Sequence, residues 1–311
     1  MVVLYSSELF LEHQTGRGHP ERPERLSYTV EYLESKKLMS RCERGEWQRL
    51  DVAALAGIHT REHVQKIQAI AEHGGGRIEA DTTVSPRSFE VAASAAGAAV
   101  AATDAVLTGP DRRALCLIRP PGHHASRDQP MGFCLFNNVA LAAQRAISHH
   151  KLDRILIVDW DVHHGNGTQD IFYSDPRVMF FSIHRYPFYP GTGAAGETGT
   201  GAGLGFTRNE PVVFGTPRDA FRARFEKALT ESAQKIRPQL VLISAGFDAH
   251  AEDPIGSLGL EIEDFELLTQ SVIDVAKSYC AGKIVSVLEG GYNVPILARC
   301  IETHLGKLIE G

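Results

Sequence analysis

Five short apolar runs, interleaved with longer stretches of helical pattern, constrain this 311-residue chain more than any other feature. The runs are "ALCLIRP" (114–120), "RILIVDWD" (154–161), "VMFFSIH" (178–184), "LVLISAGFD" (240–248) and "KIVSVLEGG" (283–291). They are rich in Ile, Val, Leu and Phe, which suits strands covered on both faces and hence a parallel sheet. Helical patterns fall at 86–108, 134–150, 217–235, 260–280 and 294–309. The first carries start and stop chemistry: Ser85 as cap, Pro86 at the first helical position and Gly109 past the end. The alternation predicts an α/β fold, a single open wound domain over 1–311 with a mainly parallel central sheet flanked by helices. No internal repeat or linker interrupts it. The glycine-rich "PGTGAAGETGTGAGLG" (190–205) reads as a long surface loop. It holds no GxxxxGK[ST] and does not join a strand to a helix, so it is discounted as a phosphate site.

Composition narrows the function classes. A net charge of −6 and a pI near 6.2 argue against a general nucleic-acid or anionic-membrane binder. Cys42, Cys116, Cys134, Cys280 and Cys300 form no CxxC pair, which suits reduced thiols. The start "MVVLYSSELF" lacks the basic and long apolar regions of a signal peptide, and no run reaches the roughly 18 apolar residues of a membrane helix. The expectation is a cytoplasmic protein with neither nucleic acid nor membrane as partner. Oligomeric state stays open.

Ligands of open α/β sheets bind beyond the carboxyl ends of the strands. Here those ends are polar: "LCLIRP" runs into His123 and His124, "ILIVDWD" into "VHHGNG", "LVLISAGF" into Asp248 and "IVSVLEGG" into Tyr292. Strand alternation would put Asp159, Asp161 and His163 on one side and Trp160, Val162 and His164 on the other. Asp161 and His163 can then grip one ion, with Asp248 as third ligand. One nitrogen and two oxygen donors suit a catalytic zinc with an open position, though iron or cobalt also fits. A lone Asp or His of this kind is as often a helix cap or a satisfied hydrogen bond; four polar strand ends at one rim outweigh that reading. His123 and His124 follow the rigid "RPPG" turn and could supply a base and an acid. Asp159 and Asn166 are the candidate partners for their second nitrogens. The pair His149 and His150 has no such frame and receives no function.

These residues resemble the zinc-dependent histone deacetylases and their bacterial relatives, on the arginase/deacetylase fold. The matching motifs are "HPERPERL" (19–26), "RPPGHHA" (119–125), "GFCLFNNVA" (132–140), "DWDVHHGNGTQ" (159–169), "PGTG" (190–193), "SAGFDAH" (244–250), "DP" (253–254) and "LEGGYN" (288–293). They occur in family order over nearly the whole chain. "DWDVHHGNGTQ" and "HPERP" are closer to class II than to class I, whose residue matching Asn166 is usually Asp. The resemblance implies one catalytic zinc on Asp161, His163 and Asp248. It also implies a tandem pair His123 and His124 backed by Asp159 and Asn166, and a carbonyl-binding Tyr292. Gly132, Phe133 and Tyr189 match the walls of an acyl-lysine channel, with Tyr189 standing where Phe is usual. Ile255 takes a rim position that is acidic in a polyamine-selective branch. Arg25 is similar to an arginine of an internal channel near the acetate exit. A structural K+ or Na+ is implied at the carbonyls of Asp159, Asp161, His163 and Ile183 with the side chains of Asp161 and Ser182. A second is implied at the carbonyls of Phe172, Asp175 and Val178.

The activity so implied is hydrolysis of an acetyl or short acyl group from the lysine side chain of a protein or peptide, or from a related small N-acylated amine. An acetylpolyamine amidohydrolase is the near alternative. An arginase-type dimanganese hydrolase would need further carboxylates and would leave His123, His124 and Tyr292 without a task. A catalytically weak acyl-lysine binder is the reading from another class.

Overall fold

A computed structural model describes residues 1–311. Its centre is an eight-stranded sheet built from β1 (Val2–Tyr5), β2 (Cys42–Arg44), β3 (Arg113–Cys116), β4 (Ile155–Asp159), β5 (Val178–Arg185), β6 (Thr207–Val212), β7 (Leu240–Ala245) and β8 (Ile284–Leu288). The order is β2-β1-β3-β8-β7-β4-β5-β6, and every neighbouring pair is parallel. All carboxyl ends therefore lie at one rim. A two-stranded antiparallel ribbon, Gly76–Arg77 with Thr83–Val84, stands apart from the sheet.

The central strands are apolar throughout because helices cover both faces: β4, β7 and β8 are buried at every residue. Helices α1 (Glu24–Ser35), α2 (Arg61–Glu72), α3 (Ser88–Thr108), α4 (Asn138–Ser148), α5 (Asn166–Phe172), α6 (Arg218–Ile236), α7 (Ile262–Cys280) and α8 (Val294–Glu310) supply that cover. One row is α2, α3 and α4; the other joins α1, α8, α7 and α6. Alanines let α3 pack closely, and a Cβ on its Gly97 would stand 2.1 Å from the Gln48 carbonyl oxygen. By length and composition α3 could cross a membrane, so the expectation that no segment qualifies is corrected. In this fold most of it is buried against α4 and β3.

Several boundaries differ from expectation for local reasons. The helix expected at 86–108 begins at Ser88, and Ser85 does not cap it. The Ser85 hydroxyl instead bonds Gln14 N at 3.2 Å and lies 2.8 Å from Ser88 Oγ, a tertiary use. The helix expected from 134 starts at Asn138, with Asn137 as its cap accepting from Ala140 N at 3.0 Å. Strands β1, β2 and β6 are too short or too polar to stand out in sequence. The segment 190–205 is a loop but not a surface one throughout. Gly193 packs on His184 and His164, and the Glu197 carboxylate accepts from Gly193 N and Ala194 N.

Candidate active site

Four sheet neighbours, β3, β8, β7 and β4, end at the same place. β4 stops at Asp159, so Asp161 and His163 lie in the loop beyond it rather than on the strand. They still converge with Asp248. One donor atom from each of Asp161, His163 and Asp248 lies within 4.8 Å of the others, and all three residues are buried. His163 Nδ1 is 3.0 Å from Asp161 Oδ1 and 3.2 Å from Asp248 Oδ2. Asp161 is fixed by amides, accepting from His163 N at 2.9 Å and Gly290 N at 2.8 Å. Asp248 Oδ1 accepts from Val162 N at 2.9 Å, and its Oδ2 is buried with no hydrogen-bond partner. Burial, then the neighbouring Asp161 charge, pushes Asp248 up to about 7. Burial opposes a charged His163, yet the two carboxylates outweigh it and raise it to about 9. Two buried carboxylates, one unpartnered oxygen and an imidazole nitrogen facing both could hold a divalent cation. Glycine is required beside it: a Cβ on Gly290 would stand 2.2 Å from Asp248 Oδ2.

The histidine pair sits against this seat, with ring centres 4.1 Å apart. His123 Nδ1 lies 2.9 Å from Asp159 Oδ2, and His124 Nδ1 lies 2.7 Å from Asn166 Oδ1. In each case Nδ1–H donates, so Nε2 is the free nitrogen. The two rings differ in charge. Burial disfavours a cationic His123, but Asp159 and then Asp161 hold its pKa well above the ordinary value. Burial, then the charges of His123 and His163, drive His124 well below. A neutral imidazole beside a cationic one is suited to base and electrostatic partner respectively.

Tyr292, on the turn after β8, is 8% exposed and lies against Phe133 with ring centres 5.7 Å apart. Its pKa is raised by burial, with Asp248 and Asp161 adding to the rise against the opposing charge of Arg25. The Arg25 guanidinium is 5.0 Å from the ring centre and donates to the Gly291 carbonyl at 2.7 Å. Tyr189 meets His124 edge-on at 5.2 Å, and Phe188 stacks on His163 at 5.3 Å. Gly132 adopts φ +55° with His124 directly over it. Tyr189 and Ile255 are each 37% exposed.

Of the residues expected to hold monovalent ions, Asp159 and Ser182 are register partners on β4 and β5, next to buried Ile183. Ser182 Oγ lies 2.9 Å from His184 Nδ1. Phe172, Asp175 and Val178 form a turn in which Asp175 N donates to Phe172 O and Val178 N to Asp175 O. The side chains of His164, Trp160 and Val162 are buried. His164 bridges Thr192 and Gln169, and Trp160 packs on Phe225 and His304. His150 lies 2.6 Å from Asp104 and plays no part in the site.

Two carboxylates given no role in the sequence analysis frame the site. Glu289 Oε2 accepts from Gly122 N at 2.7 Å and His123 N at 3.1 Å, and its Oε1 accepts from Ser244 Oγ. Asp253 accepts the amides of the Tyr292 turn, at 2.7 Å for Tyr292 N. Both act mainly through backbone N–H groups, which leave no residue-type signal. Buried Glu21 joins Arg25 and Arg119 behind the same turn.

Residues 19–308 match the histone deacetylase domain family. The chain belongs to the histone deacetylase family. It is 37% identical over 292 residues to the histone deacetylase-like amidohydrolase of Pseudomonas aeruginosa, spanning 94% of this chain and 77% of that one. It is 40% identical over 293 residues to the Homo sapiens protein named polyamine deacetylase HDAC10, spanning 90% of this chain and 43% of the relative. The crystal structure of the HDA15 HD domain superposes with a TM-score of 0.93 at 33% identity, covering 99% of this chain and 90% of that one. Histone deacetylase membership accounts for the parallel sheet and for the order of the motifs along the chain.

Proposed function

We propose that this deacetylase-family chain is a zinc-dependent amidohydrolase. It removes acetyl or short acyl groups from the lysine side chain of proteins or peptides, or from related small N-acylated amines. The observation that carries the reading is the buried Asp161, His163 and Asp248 cluster set beside one cationic and one neutral histidine. Zinc held by those three residues would supply Lewis acidity toward the amide carbonyl and the attacking water. His124 takes a proton from that water at Nε2 and returns it to the departing amine. His123, kept cationic by Asp159, stabilises the anionic intermediate and orients the site. The Tyr292 hydroxyl donates to the oxygen that becomes negative in the tetrahedral intermediate. Phe133 and Tyr189 hold the aliphatic stem of the substrate and exclude water.

Ile255 at the rim, apolar where polyamine selectivity calls for an acid, favours acyl-lysine over acetylpolyamine. The task that His123, His124 and Tyr292 find here disfavours a dimanganese site, and the intact ligand set disfavours a silent binder. We assign the reaction to the cytoplasm, a reading in keeping with five free cysteines. K+ or Na+ is assigned to the carbonyls around Asp159 and Ser182 as a structural ion. A panel of acyl-lysine peptides and acetylpolyamines, compared by kcat/KM with and without chelator, tests the reading. Chelator-sensitive turnover highest on an acyl-lysine peptide is expected; chelator-insensitive turnover would overturn it.

A further inference from the structure

The backbone of the turn carrying Tyr292 is held from three sides. Gly290 N donates to Asp161, and Arg25 takes the carbonyls of Glu289 and Gly291 at 2.5 and 2.7 Å. The amides of Tyr292 and Asn293 have neither as partner. They donate instead to Asp253 Oδ2, at 2.7 and 3.3 Å. The other oxygen of the same carboxylate, Oδ1, accepts from Ile255 N at 2.9 Å and Gly256 N at 3.0 Å. One nearly buried carboxylate thus ties the turn of Tyr292 to the loop that presents Ile255 at the rim. That loop is fixed on its far side as well. Arg185 donates to the Gly256 carbonyl at 3.0 Å, and its guanidinium lies 4.1 Å from the centre of Phe188, the ring stacked on His163.

We propose that Asp253 is a positioning residue for the deacylation step: it sets the Tyr292 hydroxyl by gripping the turn's amides and couples that setting to the rim loop at Ile255. Hydrogen bonds from amides to a carboxylate are short and directional, and both oxygens are used, so the residue fixes an angle as well as a distance. A donor aimed at an oxyanion loses its effect when misplaced by about 1 Å. Asparagine at this position would turn one acceptor into a donor facing amide N–H groups. The inference rests on the oxyanion role assigned to Tyr292, so the test is a double-mutant cycle on the metal-loaded full chain.

Asp253→Asn, Tyr292→Phe and the double variant are assayed for kcat, KM and bound metal on one acetyl-lysine peptide. The expected result is a fall in kcat of about 10- to 100-fold for Asp253→Asn, with KM changed less than threefold and metal retained. In the Tyr292→Phe background the same change should cost less than threefold. Equal losses in both backgrounds would overturn the proposal, because a purely structural role does not depend on the phenol. If Tyr292→Phe keeps full kcat, the oxyanion role itself fails. If Tyr292→Phe is inactive while Asp253→Asn is not, only the positioning role fails. Should Asp253→Asn not fold, Asp253→Glu, which keeps the charge and moves it by one methylene, takes its place in the same cycle with the same outcomes.

Discussion

Gly132 illustrates how tightly single residues are specified at this site. Its φ of +55° favours glycine, and a Cβ would stand 2.3 Å from His124 Cδ2. Gly132→Ala should therefore displace His124 and lower kcat by about 100-fold or more, the usual worth of a general base, while bound metal stays at wild-type level. Kinetics paired with metal analysis checks this, and unchanged kcat would remove the contact's importance. Tyr292→Phe should keep the metal and lose about 100- to 1,000-fold in kcat. His163→Ala should lose the metal itself; full occupancy in that variant would contradict the ligand assignment. The partners of His123 and His124 were legible in sequence because Asp159 and Asn166 have side chains whose chemistry matches an imidazole N–H. Glu289 and Asp253 were not, although both stand inside quoted motifs. Most of their partners are backbone amides, and any residue but proline can supply one.

At the scale of elements, the buried polar connections set the acid stability. Glu21 is wholly buried between Arg25 and Arg119; burial alone would raise its carboxyl, but the arginines hold it at about 2. Replacing Glu21 with Ala would strand two buried guanidinium groups and cost about 3–5 kcal/mol, measurable by urea unfolding. Burial holds His13 at about 4, and His59 and His304 at about 3. His59 shows why: Nδ1 faces the Ser126 carbonyl and Nε2 accepts from Asn137 N, so a second ring proton would break a bond. These folded values lie below the unfolded value near 6.5, so below that pH the unfolded chain binds more protons and folding weakens. The urea midpoint should fall steadily from pH 6.5 toward pH 4, with Glu21 adding to the loss below about 4.5. A midpoint flat between pH 7 and pH 5 would contradict this. The apolar strands were readable because buried parallel strands carry an uninterrupted apolar code. β2, at the sheet edge with exposed Glu43 and Arg44, carries none. The start of α3 was misplaced because Ser85 spends its hydroxyl on a distant segment, which no local pattern records.

On the scale of the molecule, the sheet order does the assembling. The chain runs outward through β4, β5 and β6, then returns to insert β7 and β8 between β4 and β3. That return brings Asp248 and Tyr292 to the side of Asp161 and His123, so the candidate metal ligands and acid–base groups, far apart in sequence, meet only when the sheet is complete. Sequence showed which strands end in useful chemistry; the insertion, which decides which ends are neighbours, depends on pairing that local patterns do not encode. We propose that this assembled rim is a single-metal amide hydrolase. The most direct measurement is turnover of an acetyl-lysine peptide after chelation and stepwise return of zinc. Activity should be lost on chelation and fully restored at about one zinc per chain. Full turnover in the metal-free chain, or a requirement for two ions, would contradict it.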